Sequence, residues 1–198
     1  MDVKKIIALH NELSERIKQF EAGLDTYPPV EVANELRYAL RAVVDILDIQ
    51  TNGSGANLDE ALEHAHHALN CAYHDLVDGL AIHISIQLEK LQAEFLEETI
   101  QVLGDKRLEI LSVLNEVNDK VSSSRKTRSR RAEIYSQDVY QNYFDQLIEY
   151  RRYINDQVLQ DVVKLNQNKK RWRIINYLGL GVGILGLVAG VIGVLSAQ

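Results

Sequence analysis

Residues 58–103 read LDEALEHAHHALNCAYHDLVDGLAIHISIQLEKLQAEFLEETIQVL. Leu58, Leu62, Ala65, Leu69, Ala72, Leu76, Leu80, Ile84, Leu88, Leu91 and Phe95 step by three or four residues. That spacing keeps side chains on one face of an α-helix. At ~1.5 Å per residue one helix of this length would reach roughly 69 Å, more than a compact bundle of 198 residues needs. The stretch therefore predicts an elongated molecule or a bend, and a bend is expected near Gly79, its one weak helix former. Gly104-Asp105 supplies a stop followed by the cap of a next helix.

Upstream, residues 3–24 carry Val3, Ile6, Ile7, Leu9, Leu13, Ile17, Phe20 and Leu24 at helical spacing. Gly23 and the stretch Asp25–Pro29 end this helix, because proline lacks an N–H and restricts the residue before it. Pro29 suits the first turn of a second helix, running to about Ile49. Val32, Leu36, Leu40, Val43, Val44 and Leu47 are expected to face inward. Residues 51–57 form a turn, with Asn57 as N-cap and Glu60 placed to complete a capping box. Downstream, neither Gly nor Pro occurs from Asp105 to Leu178. Ile110, Leu111, Leu114, Val117 and Val121 form one apolar stripe. Tyr140, Phe144, Leu147, Ile154, Val158, Val162 and Leu165 form another. Between them, residues 122–131 have no large apolar side chain.

These readings predict an all-α fold, an elongated helical bundle with a single C-terminal transmembrane helix. Its parts are an N-terminal bundle (1–121), a basic linker or exposed helix segment (122–131), an amphipathic helix (132–173) and a membrane span (174–197). One cysteine excludes a disulfide scaffold, and Cys71 alone cannot build a zinc site. No signal peptide opens the chain, since Asp2, Lys4 and Lys5 interrupt any early apolar run. Residues 1–104 hold 7 Lys/Arg and 18 Asp/Glu, net −11, whereas 105–198 hold 15 and 10, net +5. A basic back half is suited to something anionic: lipid head groups, a nucleotide, or the acidic half of the same chain.

The 24 residues Ile174–Ala197 contain no charge. As a helix they would span roughly 36 Å, enough for a hydrocarbon core of ~30 Å. Lys169, Lys170, Arg171 and Arg173 stand immediately before them, with Trp172 and Tyr177 as interfacial aromatics. The positive-inside rule then puts residues 1–173 on the cytoplasmic side of a single-pass membrane protein. Within the span, Gly179, Gly183, Gly186, Gly190, Gly193 and Ala197 repeat with spacing 4-3-4-3-4. Small residues in such a seam let helix backbones approach closely, so the spans are expected to form a homo-oligomer. No acidic or basic residue lines the span, so a pore would lack a charged selectivity ring.

Arg125, Lys126, Arg128, Arg130 and Arg131 put five charges in seven residues, a candidate contact for a phosphate-bearing ligand such as a nucleotide second messenger. Tyr135, Tyr140 and Tyr143 lie nearby and could stack a base. No recognition of DNA sequence is expected. His64, His66, His67, His74 and His83 share the long third helix, and Glu63, His67, Cys71, His74 and Asp78 could lie on one face of it. All of these come from one helix, so the reading is a polar face and no metal site. There is no phosphate loop, nucleophile elbow or H-E-x-x-H. Catalysis and cofactors are not expected.

The glycine seam and the Lys169–Arg173 collar together resemble the layout of prokaryotic antiviral membrane effectors. That resemblance implies a soluble helical sensor that drives a membrane segment to permeabilise the bilayer. The alternative is a tail-anchored adaptor or fusion-type protein, since helices followed by a C-terminal anchor resemble the syntaxins. Against that pattern, the apolar seam ahead of the anchor is interrupted at Ser122–Arg131.

Overall fold

The computed structural model describes the chain at 2–24, 27–53, 57–126 and 139–196; at 23–24, 124–125, 139–142, 181 and 183–196 it gives the backbone course alone. The elements are α1 (Val3–Leu24), α2 (Val30–Asn52), α3 (Leu58–Leu103), α4 (Lys106–Lys126), α5 (Val139–Tyr153) and α6 (Leu159–Ser196). A π-helical turn at Ile154–Val158 joins α5 to α6 without a break. The described residues contain no strand, and the fold is all-α.

Helix α3 is the axis against which every other helix packs. Its expected stripe is its core: Ala65, Leu69, Ala72, Leu76, Leu80 and Ile84 are completely or almost completely buried. Directions follow from which residues meet. Ile6 of α1 lies by Leu69 and Phe20 by Gly79, so α1 runs parallel to α3. Helix α2 starts with Pro29 against Gly79 and reaches Leu69 at Ala39, so it runs antiparallel. Phe144 meets Tyr73 with ring centroids 6.3 Å apart, Asn155 bonds Gln87, and Lys169 pairs with Glu97 and Glu98. Helices α5 and α6 therefore run parallel to α3. Helix α4 runs back along α5, joined by Tyr143 Oη donating to Glu116 at 3.0 Å and Tyr150 Oη to Glu109 at 2.8 Å. Arg16 closes the arrangement: it forms a bidentate pair with Asp145 while its guanidinium lies 5.2 Å over the Phe144 ring.

The bend in α3 exists, but not at Gly79. A Cβ added there would collide with Pro29 Cγ, so the glycine gives the start of α2 room to approach. The helix breaks at Phe95 instead, with φ −141° and ψ 53°. The buried Thr99 hydroxyl donates to the Leu91 carbonyl at 3.1 Å, eight residues back. In a straight helix those two would be about 12 Å apart along the axis. The break brings the Thr99 hydroxyl to that carbonyl and so gives a buried polar group its partner.

Two other expectations change, and the alternatives for 122–131 are narrowed. Leu40, Val44 and Leu47 point outward, more than half exposed; α2 buries Val32 as expected, with Ala39, Ala42 and Ile46 in place of those three. Pro29 caps α2 from just outside, and α2 ends only at Asn52, where Gly53 takes φ 63° and its N–H reaches the Ile49 carbonyl. Asn57 does cap α3, accepting from the Asp59 N–H at 3.1 Å. Helix α4 continues through Lys126, so 122–126 are helix, while 127–131 lie outside the described residues.

Candidate functional site

The C-terminal helix becomes a site through what holds it and what it leaves uncovered. Ile154, Val158 and Val162 are fully or almost fully buried at strict four-residue spacing. In a regular α-helix such a row drifts about 40° per step off the seam. The π-turn, where the Leu159 N–H donates to the Ile154 carbonyl five residues back, absorbs that drift. Asn155 in this turn accepts from Gln87 Nε2 at 3.3 Å. The turn faces the Phe95 break across a cleft of about 190 Å³ lined by Gln87, Lys90, Glu94, Phe95, Asn155 and Leu159.

Just below lies Arg151, 5% exposed, whose Nε and Nη1 meet no hydrogen-bond acceptor among the described residues. Burial lowers its pKa, opposed by the charge of Asp156. His83 has its pKa lowered by burial first, then by the charges of Arg151 and Lys90. Tyr143 and Tyr150 are pushed up to about 12, by burial and then by their hydrogen bonds to Glu116 and Glu109, so they remain donors. Tyr143 is thus part of the core and is not available to stack a base; Tyr135 and the Tyr140 side chain lie outside the described residues.

Lys169 is the last tether. Its Nζ is 2.9 Å from both Glu97 Oε2 and Glu98 Oε1, which lowers the Glu98 pKa. Of the expected basic collar, Lys169 is therefore bound to the acidic half of its own chain, while Lys170, Arg171, Trp172 and Arg173 are exposed. Beyond them the described side chains of the helix are uncovered. Ile174, Ile175, Tyr177, Leu178, Leu180 and Val182 are between 56% and 74% exposed. A Cβ at Gly179 would meet open space. The helix carries Gly183, Gly186, Gly190 and Gly193 onward along an unbroken backbone to Ser196. Among the described residues no helix is long and apolar enough to cross a membrane; the side chains of 183–196 and residue 197, most of the expected span, are not among them.

The basic block falls largely outside the described residues: Lys126 is an exposed helix end, Arg125 has its backbone in α4, and Arg128, Arg130 and Arg131 are not described. On α3, His74 and Asp78 are buried, Glu63 and His67 are exposed, and His67 Nε2 lies 3.6 Å from Cys71 Sγ. Among the described residues no three His, Cys, Asp or Glu side chains are grouped to hold a metal ion.

Two concave surfaces were not expected. One, about 390 Å³, sits at the α1–α2 corner and is lined by Phe20, Glu31, Asp75, Asp78 and His83 among others. The other, about 420 Å³ and strongly apolar, runs between α1 and α2 over Leu69, with walls that include Ile6, Ile7, Leu36, Leu40 and Val43. The second left a signal: α2 has more apolar residues than one face can bury.

No protein-family model matches this chain, and neither do the curated proteins or the solved structures compared with it.

Proposed function

We propose that this chain is a membrane-anchored effector: a cytoplasmic helical bundle whose C-terminal helix enters the bilayer and self-associates through its glycine seam. One observation carries the reading. Helix α6 leaves the bundle at Lys169 as an unbroken rod whose apolar side chains from Ile174 to Val182 have no protein cover. Exposed apolar surface of this extent marks a place for lipid or for another helix. The exposed Lys170, Arg171, Trp172 and Arg173 suit the head-group level.

The same rod offers a route for a signal. The basic block Arg125–Arg131 precedes α5, and α5 runs into α6 through the π-turn with no loop between them. An anionic ligand drawn to those arginines would act on the helix that carries the anchor. Lipid supplies no hydrophobic drive for helix association, so the seam must supply close packing.

Crosslinking and dye release in native membranes test the reading. Wild type is expected to give oligomers and release dye; Gly186→Leu to lose both at least tenfold; Leu187→Ile, off the seam, to lose neither. Removing residues 174–198 should move the chain out of the membrane fraction. Equal oligomer yields in all full-length variants would leave a passively anchored adaptor, the syntaxin-like alternative, and refute the effector.

A further inference from the structure

Helix α2 has two apolar stripes, and the bundle covers one. Val32, Ala39, Ala42 and Ile46 face α3, whereas Leu40, Val44 and Leu47 are 54–63% exposed. At 3.6 residues per turn those three lie within about 60° of one another and about 120° from the buried face. Helix α1 does not cover them; the groove of about 420 Å³ separates the two helices there, and Ile7 on its far wall is also exposed.

The charges beside this stripe have an order. Arg37, Arg41, Asp45 and Asp48 are all exposed and fall on the same flank of it, basic toward the start of α2 and acidic toward its end. Asp48 accepts from Asn52 and the Arg37 guanidinium lies over Tyr38, both contacts within the same helix. When two identical helices pair antiparallel, each flank meets the same flank of the other. About a midpoint near residue 43, Leu40 of one copy then meets Leu47 of the other and the two Val44 meet near the axis. Arg41 meets Asp45, and Arg37 meets Asp48. A parallel pair would instead set the charged flank against the opposite one, where Leu36 and Val43 lie. An apolar row that reads the same in both directions, beside charges that invert sign under the same reversal, is what an isologous two-fold contact demands.

We infer that α2 is the seam of a two-fold homodimer, formed by Leu40, Val44 and Leu47 and set in antiparallel register by Arg37 and Arg41 against Asp45 and Asp48. The apolar row supplies the association. The exposed charges choose the direction and disfavour the wrong one. This contact is independent of the glycine seam and does not rest on the membrane reading.

Disulfide crosslinking of the full chain in cells reads the register directly. In a Cys71→Ser background, Leu40→Cys and Leu47→Cys are made on separately tagged chains and co-expressed. The mixed 40–47 crosslink is expected to exceed either self-crosslink at least fivefold, because Leu40 would stand about 10 Å along the axis from its own copy. Val44→Cys should crosslink to itself. Arg37→Glu with Arg41→Glu should reduce these yields at least fivefold, and adding Asp45→Lys with Asp48→Lys should restore them. The pattern should persist with Gly186→Leu, which separates it from association through the tail. Self-crosslinks at 40 and 47 equal to the mixed one, no crosslink at any of the three positions, or indifference to charge reversal would each overturn the dimer.

Discussion

Residues 143–165 and 170–182 belong to one continuous helical rod, yet they live in different surroundings. In the first stretch most apolar residues form a stripe: Phe144, Leu147, Ile154, Val158 and Val162 are buried, while Asp145, Glu149 and Asp161 face solvent, with Leu159 and Val163 exposed beside them. In the second the apolar residues go all the way round, and all of them are exposed. The last ionic tether to the bundle, at Lys169, stands between the two. Helix propensity does not account for this difference in exposure. What does is whether the apolar surface is a stripe, which a protein core can cover, or a full circumference, which only lipid or a ring of like helices can.

The contrast can be broken most strongly at Phe144. It is fully buried between Tyr73 and Arg16, so Phe144→Ala should cost about 3–5 kcal/mol. Leu178→Ala, equally apolar, should change bundle stability by less than about 0.5 kcal/mol. Denaturation of both variants in the same detergent reads the difference, and comparable losses would mean that the tail packs on the bundle. A smaller effect is expected at the α3 bend. Thr99→Val keeps the shape but removes the hydrogen bond to the Leu91 carbonyl, a loss of about 0.5–1.5 kcal/mol. An unchanged melting point would show that the hydroxyl does not hold the bend.

The smallest effect is in pH. His83 and His66 have folded-state pKa values below 6.5, both mainly through burial, so the unfolded chain takes the proton first. Their contribution is intact above pH 6.5 and is lost as pH falls through the folded values. The lowered pKa of Glu98 adds its loss only below about 4.5. A stability profile that declines in two stages, with the first abolished by His83→Gln and His66→Gln together, is the expected result; a single acid limb would contradict it.

The α3 stripe was legible because eleven apolar residues repeat at one period, and ten of them are buried or partly buried as read. The bend was not, since Phe95 has no breaker chemistry and Gly79 serves a contact with Pro29 that periodicity cannot reveal. On α2 the apolar residues were visible but not their division. Leu40, Val44 and Leu47 read as inward only if every apolar residue is assumed to find cover within its own chain. The glycine seam was plain as a spacing, whereas the π-turn depends on drift relative to neighbouring helices, which no single segment encodes. Lys169 looked like one more collar charge because its partners, Glu97 and Glu98, lie some seventy residues away.

The π-turn at Ile154–Val158 also has an angular meaning. It holds one residue more than the same length of α-helix would, so it works as a phase offset between the two ends of the rod. Were those five residues to settle into α-helix, everything after them would turn about the rod's own axis by roughly one residue's angle, about 100°. The azimuth of the glycine row relative to the bundle is therefore set here, some 25 residues before the first of those glycines. A change of hydrogen-bond partner confined to one helical turn, which breaks no covalent bond and needs no loop, would be enough to aim the row toward a neighbouring copy or away from it.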